Sequence, residues 1–273
     1  MADHEIEIDD VLAAPAGGET ITDRPGRQLS ILADREEISI TRYRLAPGEH
    51  GPDPHVHREH TDAFYVLEGE MTFPLGPDRE PVRVGAGGLV AAPPNLIHEF
   101  ANESAADARM LNLHTPDAGF AAYLRGVRDG DPDAGFDSFD PPADGGLPLA
   151  EAIVSGPGEG ERLSSRNRVA LLKGVLPHLC FAEFTFDGPF DGPGLHQHDA
   201  QVDSFYVLEG ELDLTVEDSV HVAGPDTLAS VPSGVRHTFA HRGTGKARVL
   251  NVHAPDGGFG EFLRRVSDSH APH

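Results

Sequence analysis

The sequence predicts an all-β protein made of two tandem copies of one domain, each ending in a short helix. Three observations carry that expectation. Apolar residues alternate, or run briefly, between Gly and Pro in stretches such as ISITRYRLAPG, AFYVLEGEMTFPLG and GGLVAAPPN, which is the patterning of strands. With 31 Gly and 23 Pro among 273 residues, the composition suits many short strands joined by tight turns better than a helical bundle. The second half also repeats the first: ARMLNLHTPDAGFAAYLRGV at 108–127 is matched by ARVLNVHAPDGGFGEFLRRV at 247–266, and self-similarity at a fixed offset marks a duplication.

From the N-terminus, MADHEIEIDD is acidic and carries no apolar leader segment. LSILAD at 29–34 aligns with VALLKG at 169–174 and starts the shared strand pattern. The offset is 141 from His55 to His196 but 139 from His98 to His237. The second copy is therefore shorter around PLGPDREPVRVG, where a hairpin loop tolerates the difference. Phe120, Tyr123, Leu124 and Val127 recur at helical spacing, so an amphipathic helix closes the first copy, and GFGEFLRRV repeats it in the second. DGDPDAGFDSFDPPADGGLP, between the copies, is too rich in Gly, Pro and Asp for a regular element. The predicted organisation is an N-terminal domain over 1–128, a linker over 129–148 pinned to a surface by Phe136 and Phe139, and a C-terminal domain over 149–273.

Composition excludes several classes of function. Asp and Glu total 45 against 21 Lys and Arg, a formal charge of -24, which repels phosphate backbones and anionic membranes. Neither nucleic acid nor a membrane is an expected partner; a small-molecule substrate is, and a homodimer stays open. The single cysteine, Cys180 in LCFAEF, excludes an intramolecular disulfide and multi-thiolate metal sites, and reads as a buried structural thiol. No stretch approaches the roughly 18 apolar residues of a membrane span, so a cytoplasmic protein is expected.

Chemistry is concentrated in one doubled motif. His55-Val56-His57 precedes Asp62 by five residues and His196-Gln197-His198 precedes Asp203 by the same interval; His98 and His237 follow in PPNLIH and PSGVRH. Residues i and i+2 of a strand share a face, so each H-x-H pair can chelate one cation, with the carboxylate and the later histidine closing the site. Imidazoles with a carboxylate suit a divalent transition metal, one per domain, among Fe, Ni, Cu, Mn and Zn. A lone H-x-H would signify little, whereas two copies with the same downstream partners do not arise by accident.

These residues resemble the two cupin motifs, each occurring twice. His55, His57, Asp62 and Gly69, then His196, His198, Asp203 and Gly210, match the first motif; Gly87, Pro93, His98 and Asn102 match the second, and the later copy keeps Pro232, Gly234 and His237. The resemblance, to a bicupin of the quercetinase-like type, implies two double-stranded β-helix (jelly-roll) barrels with short terminal helices. It departs at three kinds of position. Asp stands where Glu is usual, which leaves direct ligation and contact through water both open; Asn95 replaces the motif glycine in the first copy; Asp226 and His241 stand in for Gly and Asn in the second.

The resemblance further implies a metal-dependent dioxygenase acting on a small oxygenated, flavonol-like substrate. Asp62 and Asp203 would then be the catalytic residues, as ligands or as the base that takes a substrate hydroxyl proton. The alternatives are a non-catalytic small-molecule or metal-binding cupin and a metal-assisted isomerase, decarboxylase or lyase, because fold does not choose among them. Two intact ligand sets argue against one active and one degenerate barrel.

Four further groups read as structural. Phe64 and Phe205 are expected in the core rather than in a pocket. His114 and His253, with Asn112 and Asn251, are expected as packed strand residues rather than donors to the site. His60 lacks a counterpart and lies off the strand spacing, so it is not expected to be a ligand. Arg42 and Arg44 are expected as solvated strand charges.

Overall fold

A computed structural model describes residues 8–15, 17–165 and 167–268; the acidic start of the chain, residues 1–7, lies outside them. A short helical turn leads to β1 (Leu12–Ala13). There follow β2 (Glu19–Arg24), β3 (Arg27–Asp34), β4 (Ser39–Leu45), β5 (Thr61–Glu68), β6 (Glu70–Leu75), β7 (Glu80–Gly85), β8 (Leu89–Ala92), β9 (Ala108–Thr115) and helix α1 (Phe120–Asp129). The second copy runs through β10 (Ile153–Ser155), β11 (Glu161–Ser165), β12 (Arg168–Leu176), β13 (Leu179–Asp187), β14 (Val202–Glu209), β15 (Leu212–Val216), β16 (Ser219–Ala223), β17 (Leu228–Val231), β18 (His237–Ala240), β19 (Lys246–Ala254) and helix α2 (Phe259–Asp268).

In the N-terminal unit a seven-stranded sheet, β10-β8-β5-β9-β4-β3-β2, is complemented by the β6-β7 hairpin. Bridges from Thr72 to Ala101 and from Leu75 to His98 extend the hairpin towards the metal motif. Apolar side chains fill the barrel: Leu45, Phe64, Val66, Met71, Phe73 and Phe100 form one cluster, and each such burial is worth about 1.5–3 kcal/mol. Along β4 the alternation is strict enough to place Thr41, Tyr43 and Leu45 inside, while Arg42 is half-buried and Arg44 is exposed and paired with Asp107. The C-terminal unit repeats the plan with β1-β17-β14-β19-β13-β12-β11 and β16-β15-β18, around Phe184, Phe186, Phe205, Leu214 and Phe239. Both are jelly-roll barrels closed by packing two sheets face to face. Phe64 and Phe205 are core residues, as expected.

The two helices fall where their periodicity places them. Asp117 accepts hydrogen bonds from the Gly119 and Ala121 N–H groups, and Asp256 does the same for Gly258 and Gly260; these satisfy donors that a helix start leaves without an internal partner. Gly130, left-handed at φ 77°, stops α1. The substituted glycines are also explained. Asn95 adopts φ 68° and Asp226 φ 65°, left-handed geometry that Asn and Asp tolerate better than most residues. At Gly69 and Gly210 only glycine serves, since a Cβ would sit 2.6 Å from Asp107 O and 2.5 Å from Lys246 O.

The unit boundaries differ from those expected. One unit is Glu19–Gly160; the other joins the residues up to Gly18 with those from Glu161 onward. The Gly/Pro/Asp composition of 129–148 marks an irregular segment, but not the seam. That segment belongs to the N-terminal unit, where Phe139 bridges Val56 and the Leu147 N–H donates to Asn95 O. β10, beyond the expected linker, pairs with β8 through Ile153–Ala91, while β1, at the start of the first copy, pairs with β17 through Leu12–Ala229. Each sheet therefore takes an edge strand from outside its own repeat. Cys180 is buried and free; burial pushes its thiol pKa up, which keeps it inert.

Candidate metal centres

Backbone pairing assembles each ligand set. His55 and His98 exchange N–H to O bonds of 3.2 and 3.0 Å, and His196 and His237 exchange bonds of 3.0 and 2.7 Å. Asp62 arrives on β5 and Asp203 on β14, each registered opposite the histidine of the last strand, His114 or His253. One ligand-type atom from each of His55, His57, Asp62 and His98 lies within 4.8 Å of the others, and His196, His198, Asp203 and His237 form the same group. All eight metal candidates read from the sequence are thus brought together, four per barrel.

The hydrogen bonds decide which nitrogens face inward. His55 Nδ1 lies 2.9 Å from Asp53 O, His57 Nδ1 2.5 Å from Asp137 O and His98 Nδ1 2.9 Å from Leu96 O. A carbonyl only accepts, so each Nδ1 carries the proton in a neutral ring and each Nε2 presents a lone pair. His196 and His237 are fixed in the same way by Gly194 O and Val235 O, both at 2.9 Å. Asp62 Oδ2 stands 3.3 Å from His98 Nε2 and 3.6 Å from His57 Nε2; Asp203 Oδ2 stands 3.2 Å from His237 Nε2 and 3.6 Å from His198 Nε2. Lone pairs and a carboxylate oxygen thus converge, and the buried Nε2 atoms of His57 and His198 have no hydrogen-bond partner. Donors about 2.1 Å from one cation stand roughly 3–4 Å apart, so the residues fit a divalent metal.

Electrostatics agree with that state. Burial would raise the Asp62 and Asp203 carboxyls, but the surrounding histidines, led by His114 and His253, hold both well below the usual carboxylate range. Burial, with His98 and His57 adding to it, pushes His55 down to about 3. At neutral pH His55 is therefore a neutral imidazole, and Asp62 and Asp203 are ionised carboxylates.

The structure corrects the expectation for the last strand. Asn112 Nδ2 donates to Asp62 Oδ1 and Asn251 Nδ2 to Asp203 Oδ1, the latter at 2.5 Å. His114 Nε2 and His253 Nε2 lie 3.5 and 3.3 Å from those same oxygens. These four residues therefore aim the carboxylates, leaving one oxygen of each turned towards the histidines. Phe120 and Phe259, the first residues of α1 and α2, stack on His114 and His253 with centroids 3.6 Å apart. The signal was available in the duplicated N-x-H spelling, which strand packing alone does not require.

The two centres differ in access. The His57 side chain is 1% exposed and that of His198 21%. Over the first centre Asp137 reaches back from the irregular segment, accepting from Arg58 N–H at 3.0 Å, Glu59 N–H at 2.7 Å and facing His60 Nδ1 at 2.8 Å. His60 lies outside the four-residue set, but its Nε2 is 2.8 Å from His114 Nδ1, and with His57 and His114 it forms a further group of side chains close enough to hold a metal ion, which its place off the strand spacing did not suggest. Phe136 packs 5.5 Å from the His57 ring and Arg58 stacks on Phe139 at 3.7 Å. The second centre opens instead into a cavity of about 720 Å³ whose wall includes Phe184, Phe190, Phe239, Phe259 and Phe262 with His196, His198 and Asp203.

Residues 41–114 and 184–253 match the family model Cupin_2, the cupin domain. The chain is a member of the cupin family. Its two barrels make it a bicupin, and solved structures of similar fold include bicupins. A glyoxylate-induced protein from Pseudomonas aeruginosa, described as putative, superposes with a TM-score of 0.65 at 14% identity, covering 92% of each chain. Protein Ylba from E. coli gives 0.64 at 12% identity over 93% of this cupin and 94% of that chain. Oxalate decarboxylase from Bacillus subtilis gives 0.62 at 14% identity over 92% of this cupin and 78% of that chain. At such identities the likeness is one of fold. No curated protein matches the cupin in sequence. Among the described residues no helix is long and apolar enough to cross a membrane.

Proposed function

We propose that this bicupin is a metal-dependent dioxygenase whose reaction takes place in the C-terminal barrel, on a small oxygenated substrate with a large apolar or aromatic body. The observation that carries the reading is the opening of the His196, His198, Asp203 and His237 group into an aromatic-walled cavity of about 720 Å³, the setting in which small-molecule sites are commonly built. A cavity of that size and lining suits a ring system better than a two-carbon diacid, and this favours the dioxygenase reading over a decarboxylase like the oxalate enzyme.

His196, His198 and His237 would hold the cation through Nε2, and Asp203 through Oδ2. The bound cation would supply a Lewis-acid position for a substrate oxygen and for O2. Asn251 and His253 hold Asp203 Oδ1, so Oδ2 is the carboxylate oxygen available to ligate or to take the proton of a substrate hydroxyl. The rings of Phe184, Phe239 and Phe259 line the cavity; they would exclude water and orient the flat face of the substrate. The enclosed N-terminal centre, held by His55, His57, Asp62 and His98, would serve as a structural metal site, with Asp62 as its ligand. Manganese heads the metals to test, since a structure of similar fold describes Mn(II) centres in oxalate decarboxylase.

The test is oxygen uptake by protein loaded separately with Mn, Fe, Ni, Cu and Zn, offered a panel of hydroxylated aromatics including flavonols. Substrate-dependent O2 consumption supports the reading. Product formed without O2 moves the bicupin to the decarboxylase, isomerase or lyase class, and binding without turnover makes it a binding protein.

A further inference from the structure

The wall of the C-terminal cavity contains one charged group that no described residue neutralises. Arg168 lines the cavity, its buried Nε has no hydrogen-bond partner, and among the described residues its guanidinium makes no hydrogen bond or ion pair. Its neighbours are aromatic rings, with the guanidinium carbon 5.3 Å from the Phe184 centroid and 5.7 Å from that of Phe190. This is unusual in a chain where 45 acidic residues outnumber 21 basic ones and where the half-buried Arg125 and Arg264 and the exposed Arg236 all hold carboxylates. A guanidinium partly withdrawn from water without a counter-charge is costly, and such groups persist where a ligand completes them.

The other ionisable groups of the wall are already committed. Both Asp256 oxygens accept backbone N–H groups at the start of α2, and Asp203 with the histidines belongs to the metal centre. The position also separates the two barrels. At the offset of 140 that aligns VALLKG with LSILAD, Arg168 corresponds to Gln28, which donates to Asp23. At this position the barrel with the open centre carries a cation, and the other barrel a neutral, hydrogen-bonded amide.

Strand register gives the distance to be spanned. Asn251, which holds Asp203, pairs with Ala182 on β13, whereas Arg168 pairs with Phe186 on the same strand. Four residues of strand separate those rows, roughly 13 Å between backbone positions, and the rings of Phe184 and Phe190 lie close to the guanidinium.

We propose that Arg168 determines substrate specificity by pairing with a carboxylate at the far end of an elongated aromatic substrate, whose other end reaches the metal centre of the C-terminal barrel. The assignment rests on the reading that this barrel is the reaction site. The guanidinium fork offers two parallel donors to a carboxylate, and the Phe184 and Phe190 rings beside it supply cation–π contact. Neutral ring systems would fill the same cavity without completing Arg168 and bind more weakly.

Calorimetric titration of the metal-loaded protein with biphenyl-4-carboxylate and with biphenyl-4-carboxamide tests this. Wild-type protein is expected to bind the carboxylate at least about tenfold more tightly than the amide, the size of a charged hydrogen bond gained. R168Q, which installs the residue of the other barrel, is expected to abolish that preference while leaving amide binding within about threefold; R168K is expected to keep part of it. Equal binding of the two probes by wild type, or an undiminished preference in R168Q, would overturn the assignment. Binding of the carboxamide within about threefold of wild type in R168Q also shows that the variant is folded. The reaction-site reading fails separately. If turnover on any substrate is lost in H57A but kept in H198A, the chemistry belongs to the N-terminal barrel, whatever Arg168 binds.

Discussion

Asp137 and His60 meet at 2.8 Å, and that contact joins the segment between the repeats to the wall of the first metal centre. The Asp137 side chain is 8% exposed and accepts two backbone N–H groups as well, so Asp137→Ala leaves three donors unmet. The variant is expected to lose about 1–3 kcal/mol of stability. It is also expected to expose the N-terminal centre. In chelator-competition kinetics the slower of two metal-release phases should accelerate towards the faster one, and an unchanged slow phase would show that Asp137 does not close the mouth.

The unequal access predicts unequal roles. With a turnover assay in hand, His198→Ala should reduce kcat by at least about a hundredfold. His57→Ala should lower thermal stability while leaving most turnover. Elemental analysis of the wild type should return two metals per chain, and one in each of these variants. A value of one or none in the wild type sinks double occupancy.

Asn251→Leu keeps the volume of the side chain but removes the donor to Asp203 Oδ1. Loss of such an outer partner typically costs about 10–100-fold in metal affinity, read by competition with a coloured chelator at the C-terminal centre. Asn251→Asp places a second carboxylate beside Asp203 and should be worse at pH 8 than at pH 5, where the new group can protonate. Equal effects at both values would argue that only packing was lost.

Acid should destabilise the metal-free protein well above the carboxylate range. Burial, reinforced by neighbouring histidines and opposed by Asp62, depresses His55 to about 3 and His60 to about 4, and lowers His114 well below its ordinary 6.5. These rings stay neutral when folded but take up protons when unfolded, so stability present above about pH 6.5 falls as the pH drops towards 4. His237 opposes the trend, because Asp203 raises it despite its burial. Melting curves of the metal-free protein from pH 7.5 to 4.5 should fall with pH, and a flat profile would contradict the burial of these rings.

The fold and the two candidate ligand groups were legible in the sequence because both are local and doubled. H-x-H spacing, the alternation of β4 and the helical spacing from Phe120 each depend on residues close in the chain, and duplication separates signal from accident. The carboxylate-aiming roles of Asn112 and Asn251 were half-legible: their spelling repeats, but only register across β5–β9 and β14–β19 reveals what they hold. Asp137 and Arg168 could not be read. One lies in a segment whose composition announces only irregularity, and the other is a single strand arginine distinguished by what does not surround it.

β1 and β10 are short, yet their exchange ties each repeat to the sheet of the other. A gene divided at the compositional seam would give a first half with the edge of β8 uncovered and a second half with the edge of β17 uncovered. Open edges recruit other strands, so the separated halves would face each other as sticky, incomplete sheets. Each repeat carries the strand that covers the other's open edge.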